Sequence, residues 1–156
     1  PLHELMRLAA AARSAFVQQE GEAVLPGAVT AVKHARAGGR VGIVSGSSRG
    51  EIANALDHLG LRDVIEFVVG AEDVSAGKPS PQGYLQAAAA LGVHPRDCIV
   101  FEDSSAGLRA ARAAGMYGVA VAAGNFADQD QSAAMEQIIS LEIVDVAWLE
   151  ARWNAP

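Results

Sequence analysis

The chain has a single cysteine, Cys98, which excludes an internal disulfide. It has no apolar stretch approaching the roughly 18 residues of a membrane span. Its opening, PLHELMRLAAAARSAF, lacks the basic, apolar, small-residue order of a signal peptide. Lys/Arg-rich runs are missing too, and 18 Asp and Glu outnumber 12 Lys and Arg for a net charge of −6. That balance argues against a nucleic-acid or anionic-membrane surface. The four histidines, His3, His34, His58 and His94, stand at no metal-binding spacing, and no repeat or low-complexity segment occurs. What remains reads as a soluble cytoplasmic protein, a monomer by default. Its 51% hydrophobic content over 156 residues suits one compact domain with a sizeable core.

Leu5, Leu8, Ala12 and Phe16 recur at helical spacing and predict a helix over about Leu2–Gln19, ending near Gly21; Pro26-Gly27 restarts the chain. Val41–Val44, Ile65–Val69, Cys98–Phe101 and Val119–Ala122 are nearly unbroken apolar runs, the pattern of parallel strands buried on both faces. Helices are expected between them at Ser48–Leu59, Pro81–Leu91 and Ser105–Ala114, each stopped by a glycine. The alternation predicts an α/β fold, a three-layer α/β/α Rossmann-like domain with a mainly parallel sheet. In the tail we expect a helix around Ala133–Ile139, a short strand near Ile143 and a final helical turn, with Trp148 and Trp153 anchoring the segment on the core. Cys98, opening a buried strand, reads as a small core residue rather than a nucleophile.

Ligands of open α/β sheets bind beyond the carboxyl ends of the strands, so chemistry is sought at each strand's exit. The first exit, Ser45-Gly46-Ser47-Ser48-Arg49-Gly50-Glu51, is a small-residue turn into a helix with capping-box spacing. Its backbone N–H groups and the Ser45 hydroxyl could hold a phosphate, or it could be an ordinary capped turn. At the second, Lys78 sits between Gly77 and Pro79. It is either a cation fixed for a phosphoryl group or a solvated surface lysine; the spacing is not that of a Walker A loop. The third carries adjacent carboxylates, Glu102 and Asp103, at the end of an apolar strand. A divalent ion such as Mg2+ would relieve their repulsion. Alternatively, Asp103 or Ser104 caps the next helix while Glu102 faces solvent. Together the exits offer positioning, charge neutralisation and a metal, the needs of phosphoryl transfer, but no nucleophile.

These residues resemble the haloacid dehalogenase (HAD) superfamily, and within it the β-phosphoglucomutase-like phosphatases. The strings VGIVSGSSRGEI, GAEDVSAGKPSPQGYLQAAAALGV and CIVFEDSSAGLRAARAAGM match that superfamily's second, third and fourth motifs in order, over roughly Leu25–Val121. The resemblance implies that Ser45 and the Gly46 backbone bind the transferring phosphoryl group. It implies that Lys78 bridges that group and the nucleophile, that Glu102 and Asp103 hold Mg2+, and that Arg49 and Ser104 make substrate or supporting contacts. The superfamily's first motif, an Asp-x-Asp pair ending an N-terminal strand, has no counterpart here. That strand would lie between those ending at Ser45 and Asp103. Residues 1–24 resemble the last helix of a helical cap with its linker, and 25–156 the core without its N-terminal strand. We therefore expect part of a longer enzyme.

The expected activity is that of a Mg2+-dependent phosphatase for a small phosphorylated metabolite such as a sugar phosphate, working through a phosphoaspartyl intermediate whose nucleophile is not in this chain. On that view the 156 residues alone are inactive. The alternatives are a sugar phosphomutase of the β-phosphoglucomutase type and, for a complete chain, a non-catalytic module that binds phosphate or metal. A dehalogenase needs no metal, and the Glu102-Asp103 pair argues against it.

Overall fold

The structure is a computed structural model that describes residues 24–153, so the helix expected over 2–19 lies outside the described residues. In chain order the elements are α1 (Ala28–Gly38), β1 (Gly42–Val44), α2 (Arg49–His58), β2 (Phe67–Val69), α3 (Gln82–Leu91), β3 (Ile99–Glu102), α4 (Ser105–Ala113), β4 (Tyr117–Val121), β5 (Glu136–Ile138) and α5 (Val146–Trp153). Short 3-10 turns occur at Ala71–Asp73, Pro95–Asp97, Ala122–Gly124 and Leu141–Ile143. Every strand pairing is parallel: β1 with β2, and β3-β4-β5 with β4 in the middle.

Local chemistry sets the helix ends. Ser48 opens α2 with a complete capping box: the Glu51 N–H donates to Ser48 Oγ and the Ser48 N–H to Glu51 Oε2, at 3.3 and 2.7 Å. Ser104 opens α4, its Oγ accepting the Gly107 N–H at 3.0 Å. α3 closes at Gly92, whose φ of 66° is the left-handed conformation that lets the Val93 N–H reach back to the Ala88 carbonyl at 3.0 Å.

Side chains alternate between two helical layers. Ile43 and Val68 pack with α2 and with Val29 and Val32 of α1. Phe101 packs on the same face with Leu149 and Trp148 of α5. Val100 faces the other way, toward Tyr84 and Ala88 of α3 and Ala111 of α4. The result is the three-layer α/β/α arrangement expected from strand–helix alternation. Trp148 lies 5.7 Å from the Phe101 ring, centroid to centroid, with the Arg152 guanidinium 3.5 Å above its indole. Trp148 thus anchors the C-terminal segment as expected.

Four details differ from the sequence reading. α1 was not foreseen. β3 runs one residue further, so Glu102 belongs to the strand. Where a helix was expected around Ala133–Ile139, β5 lies instead, its Met135 N–H leading into the ladder through the Gly118 carbonyl at 2.8 Å. The alanine pair favours helix locally, but a free edge on β4 outweighs that preference. Finally, Ile143 ends a 3-10 turn rather than a strand, and the last helix is α5, eight residues long. Its first turn is held by Asp145, which accepts the Trp148 N–H at 2.7 Å.

β1 and β3 do not pair with each other. Between them lies a cavity of about 510 Å3, bordered by both strands, roofed by α1 and α5 and floored by α3. Lys78 and Glu102 stand at its carboxyl-terminal end.

Candidate active site

Glu102 ends β3 on the same face as Val100, and so points under α3 and α4, where it is 9% exposed. A buried carboxylate needs partners, and this one has four donors. Lys78 Nζ forms an ion pair with Oε1, and the Tyr84 hydroxyl donates to the same oxygen at 3.3 Å. The Ser104 N–H and hydroxyl both donate to Oε2 at 2.9 Å. Burial works against ionisation, but Lys78 and Ser104 outweigh it and hold the Glu102 carboxyl below its ordinary pKa. The same burial, with the adjacent Glu102 charge, pushes the Tyr84 hydroxyl pKa up. Gly107 is required here: a Cβ on it would overlap the Glu102 carboxylate. The solvent-facing alternative for Glu102 is thereby excluded, while Ser104 does cap its helix.

Asp103 follows directly, half-buried, with its backbone carbonyl accepting from Gln131 Nε2 at 2.8 Å and Gly124 packed against its Cβ. Burial first, and the Glu102 charge second, hold its carboxyl above its ordinary pKa. That is a carboxylate short of positive charge. Among the described residues no group of three or more His, Cys, Asp or Glu could by itself hold a metal. Mg2+ is commonly bound through one or two carboxylates, with water and substrate oxygens completing the octahedron. Asp103 fits one such position, whereas the Glu102 oxygens are engaged by Lys78, Tyr84 and Ser104.

The turn after β1 is braced against the turn after β2. The Ser45 N–H donates to the Val69 carbonyl and the Ala71 N–H to the Ser47 carbonyl, both at 2.9 Å. Ser45 Oγ accepts the Ser47 N–H at 3.1 Å, which leaves its own proton free to donate. Gly46 is exposed, and nothing lies within 4 Å of where its Cβ would stand, so a ligand can approach its backbone. Arg49 turns away from that opening: its Nε donates to Asp73 at 2.7 Å and its N–H to Glu72 Oε1 at 2.9 Å. The Asp73 carboxyl, held also by the Gly70 N–H at 2.8 Å, sits below its ordinary pKa, chiefly because of Arg49.

The structure thus brings Lys78, Glu102, Asp103 and Ser104 into one cluster and sets Ser45 and Gly46 on the neighbouring strand exit. Arg49 is engaged elsewhere. Sequence reasoning missed Tyr84, Asp73 and Gly107. Tyr84 lies in the first turn of α3 and Gly107 three residues after the Ser104 cap, positions that are visible in the sequence once Glu102 is known to turn inward. The Arg49–Asp73 pair spans 24 residues and carries no local signal.

The family model for haloacid dehalogenase-like hydrolases matches residues 3–115. The chain belongs to that family. Among curated relatives of this haloacid dehalogenase-like hydrolase, validoxylamine A 7'-phosphate phosphatase of Streptomyces hygroscopicus subsp. limoneus is 35% identical over 108 residues, 69% of this chain and 49% of the relative. Fructose-1-phosphate phosphatase of Escherichia coli strain K12 is 48% identical over 79 residues, 50% of this chain and 42% of the relative. Among solved structures, a β-phosphoglucomutase from Clostridium difficile superposes with a TM-score of 0.69 at 29% identity, over 84% of this chain and 56% of that one. The β-phosphoglucomutase-like branch is therefore the right neighbourhood. The chain spans about half the length of these relatives or less.

Proposed function

We propose that the whole protein is a Mg2+-dependent phosphatase for a small phosphorylated metabolite such as a sugar phosphate. A carboxylate carried outside the described residues attacks phosphorus, the ester P–O bond breaks, and the alcohol leaves with a proton. Water then hydrolyses the phosphoaspartyl intermediate, so that one hard step becomes two easier ones. The observation that carries this reading is the convergence of Lys78, Glu102 and Asp103 at the same sheet edge as the open Ser45-Gly46 turn. In it the Gly46 N–H and Ser45 hydroxyl hold phosphoryl oxygens, and Lys78 neutralises their charge, oriented by Glu102. Asp103 would hold Mg2+, which when bound supplies further charge neutralisation to the phosphoryl group. The pairing of Arg49 with Asp73 leaves it a supporting part, tying α2 to the turn after β2.

Phosphomutase chemistry, in which a sugar hydroxyl replaces water as acceptor, is favoured by one observation, the structural likeness to β-phosphoglucomutase. The two separate on product. Incubation with a hexose 1-phosphate and Mg2+ yields inorganic phosphate for the phosphatase and hexose 6-phosphate for the mutase. Hydrolysis of phosphate esters that survives complete metal chelation would overturn the metal-dependent reading. The intact mass of the purified polypeptide, set against 16.1 kDa for these residues, decides whether to assay turnover. At 16.1 kDa, binding of phosphate without turnover points to the non-catalytic module.

A further inference from the structure

We infer that Gln82 is the positioning residue for Lys78: one side-chain oxygen gathers the loop that carries the lysine and so sets where its ammonium stands. What Lys78 does follows the phosphatase reading above; how it is held is geometry alone. Lysine is a point charge on a flexible four-carbon stem, so it delivers that charge to a fixed place only when both ends are held. The far end is held by the Glu102 carboxylate and by Tyr84, whose ring centroid lies 5.2 Å from Nζ.

The near end stands on an open loop. Ser75, Ala76 and Gly77 are exposed and belong to none of the three apolar clusters, and nothing lies within 4 Å of where a Gly77 Cβ would stand. Burial therefore does not order this segment; hydrogen bonds do. Gln82, the first residue of α3, lays Oε1 against the loop. It accepts the Ser75 N–H at 3.2 Å, the Ser75 hydroxyl at 3.0 Å and the Ala76 N–H at 3.1 Å. Among the described residues, these are all the hydrogen bonds that Ser75 and Ala76 donate.

Beyond Lys78, the Gln82 N–H donates to Ser80 Oγ at 3.3 Å, and the Ser80 N–H closes a turn on the Gly77 carbonyl at 3.0 Å. Gln82 thus brackets Lys78, through Ala76 on one side and Ser80 on the other. One helical turn further, Gln86 donates to the Asp73 carbonyl at 3.3 Å, so the whole loop hangs from one face of α3. The two residues after Gln82 reach the other strand exits. Gly83 packs on Val44, just ahead of Ser45, and Tyr84 bonds Glu102. The same turn of helix therefore sets Lys78 relative to both.

Three donors on one oxygen call for an acceptor, and Nε2 has no partner among the described residues. Glutamate at this position keeps the length and offers a stronger acceptor. Methionine keeps the length and the helix preference but offers only a thioether.

The test follows the 15N-labelled lysine ammonium groups by NMR in the protein and in its Gln82→Met and Gln82→Glu variants, with Tm alongside. The Lys78 signal is identified by its loss in Lys78→Arg, and exposed Lys33 is the internal reference. In Gln82→Met, proton exchange of the Lys78 ammonium with water is expected to quicken about tenfold or more, while Gln82→Glu stays near wild type. In phosphate release, Gln82→Met should lower kcat and kcat/KM alike by about tenfold, and Gln82→Glu should restore both. An unaltered Lys78 signal in Gln82→Met overturns the inference, as does a Gln82→Glu protein that behaves like Gln82→Met. A lowered Tm with signal and kcat kept also overturns it, since Gln82 is then a brace of the loop alone. A wild type that turns over no phosphate ester counts against the phosphatase reading, and the ammonium signal still decides the role of Gln82.

Discussion

Lys78 and Glu102 are interdependent. If the proposed phosphatase function holds, replacing Lys78 with alanine removes a cation from the phosphoryl site and is expected to lower kcat of the whole protein by about 10²–10³, read as phosphate release under saturating substrate. It also strands a buried carboxylate, at a cost of about 3–5 kcal/mol. The double variant Lys78→Ala, Glu102→Gln should recover most of that stability in denaturant melts without recovering activity. Gly107→Ala sets two effects against each other. Alanine gains about 1 kcal/mol in helix propensity, but its Cβ collides with the Glu102 carboxylate, and overpacking of this kind costs about 1–3 kcal/mol. The collision wins, so a lower Tm and a displaced Tyr84 are expected. Asp73 gives a pH signature. Its folded pKa is depressed by Arg49, so its contribution is present above the unfolded value of about 4 and fades as pH falls through the folded pKa. The Tm difference between wild type and Asp73→Asn should therefore be present at pH 7 and shrink below about pH 4.

Helices α3 and α4 hold the site through their buried faces, Tyr84, Ala88 and Leu91 on one and Leu108 and Ala111 on the other. Leu108 of α4 is fully buried, whereas Leu85, on the outer side of α3, is 41% exposed. Leu108→Ala is expected to cost about 2–5 kcal/mol and Leu85→Ala within about 0.5 kcal/mol, measured by urea unfolding. The same contrast explains what was legible in the sequence. Runs such as Val119–Val121 and the Ser48 and Ser104 caps declare themselves, because a doubly buried parallel strand and a helix N-terminus each need particular residues at adjacent positions. β5 was not legible: Glu136–Ile138 has no strand pattern of its own and is ordered by the open edge of β4. Nor was α1, where Val29, Thr30 and Val32 dilute the helical signal with β-branched residues. At the site, the residue types at the strand exits could be read, but not their pairing. That Lys78 takes Glu102, and that Arg49 takes Asp73, depends on how two turns meet in space.

The described residues form two parallel sheets held together by helices rather than by strand pairing. Among them no helix is long and apolar enough to cross a membrane. Protection should follow this division. Amides of β4, with Val119 and Ala120 fully buried and a neighbour on each side, should exchange slowest, and those of β1 and β2 faster by at least tenfold, in a native-state exchange experiment. α3 touches both β1 and the cluster around Val100, so its opening and that of the β1–β2 pair should be coupled. The stacking of Arg152 on Trp148, itself against Phe101, has an optical consequence. Phe101 belongs to β3, whose last residue is Glu102, so the indole registers how firmly α5 is seated against the strand that ends at the site. In a Trp153→Phe variant its emission should move to longer wavelength as α5 comes away, so that detachment of this helix can be timed without any label.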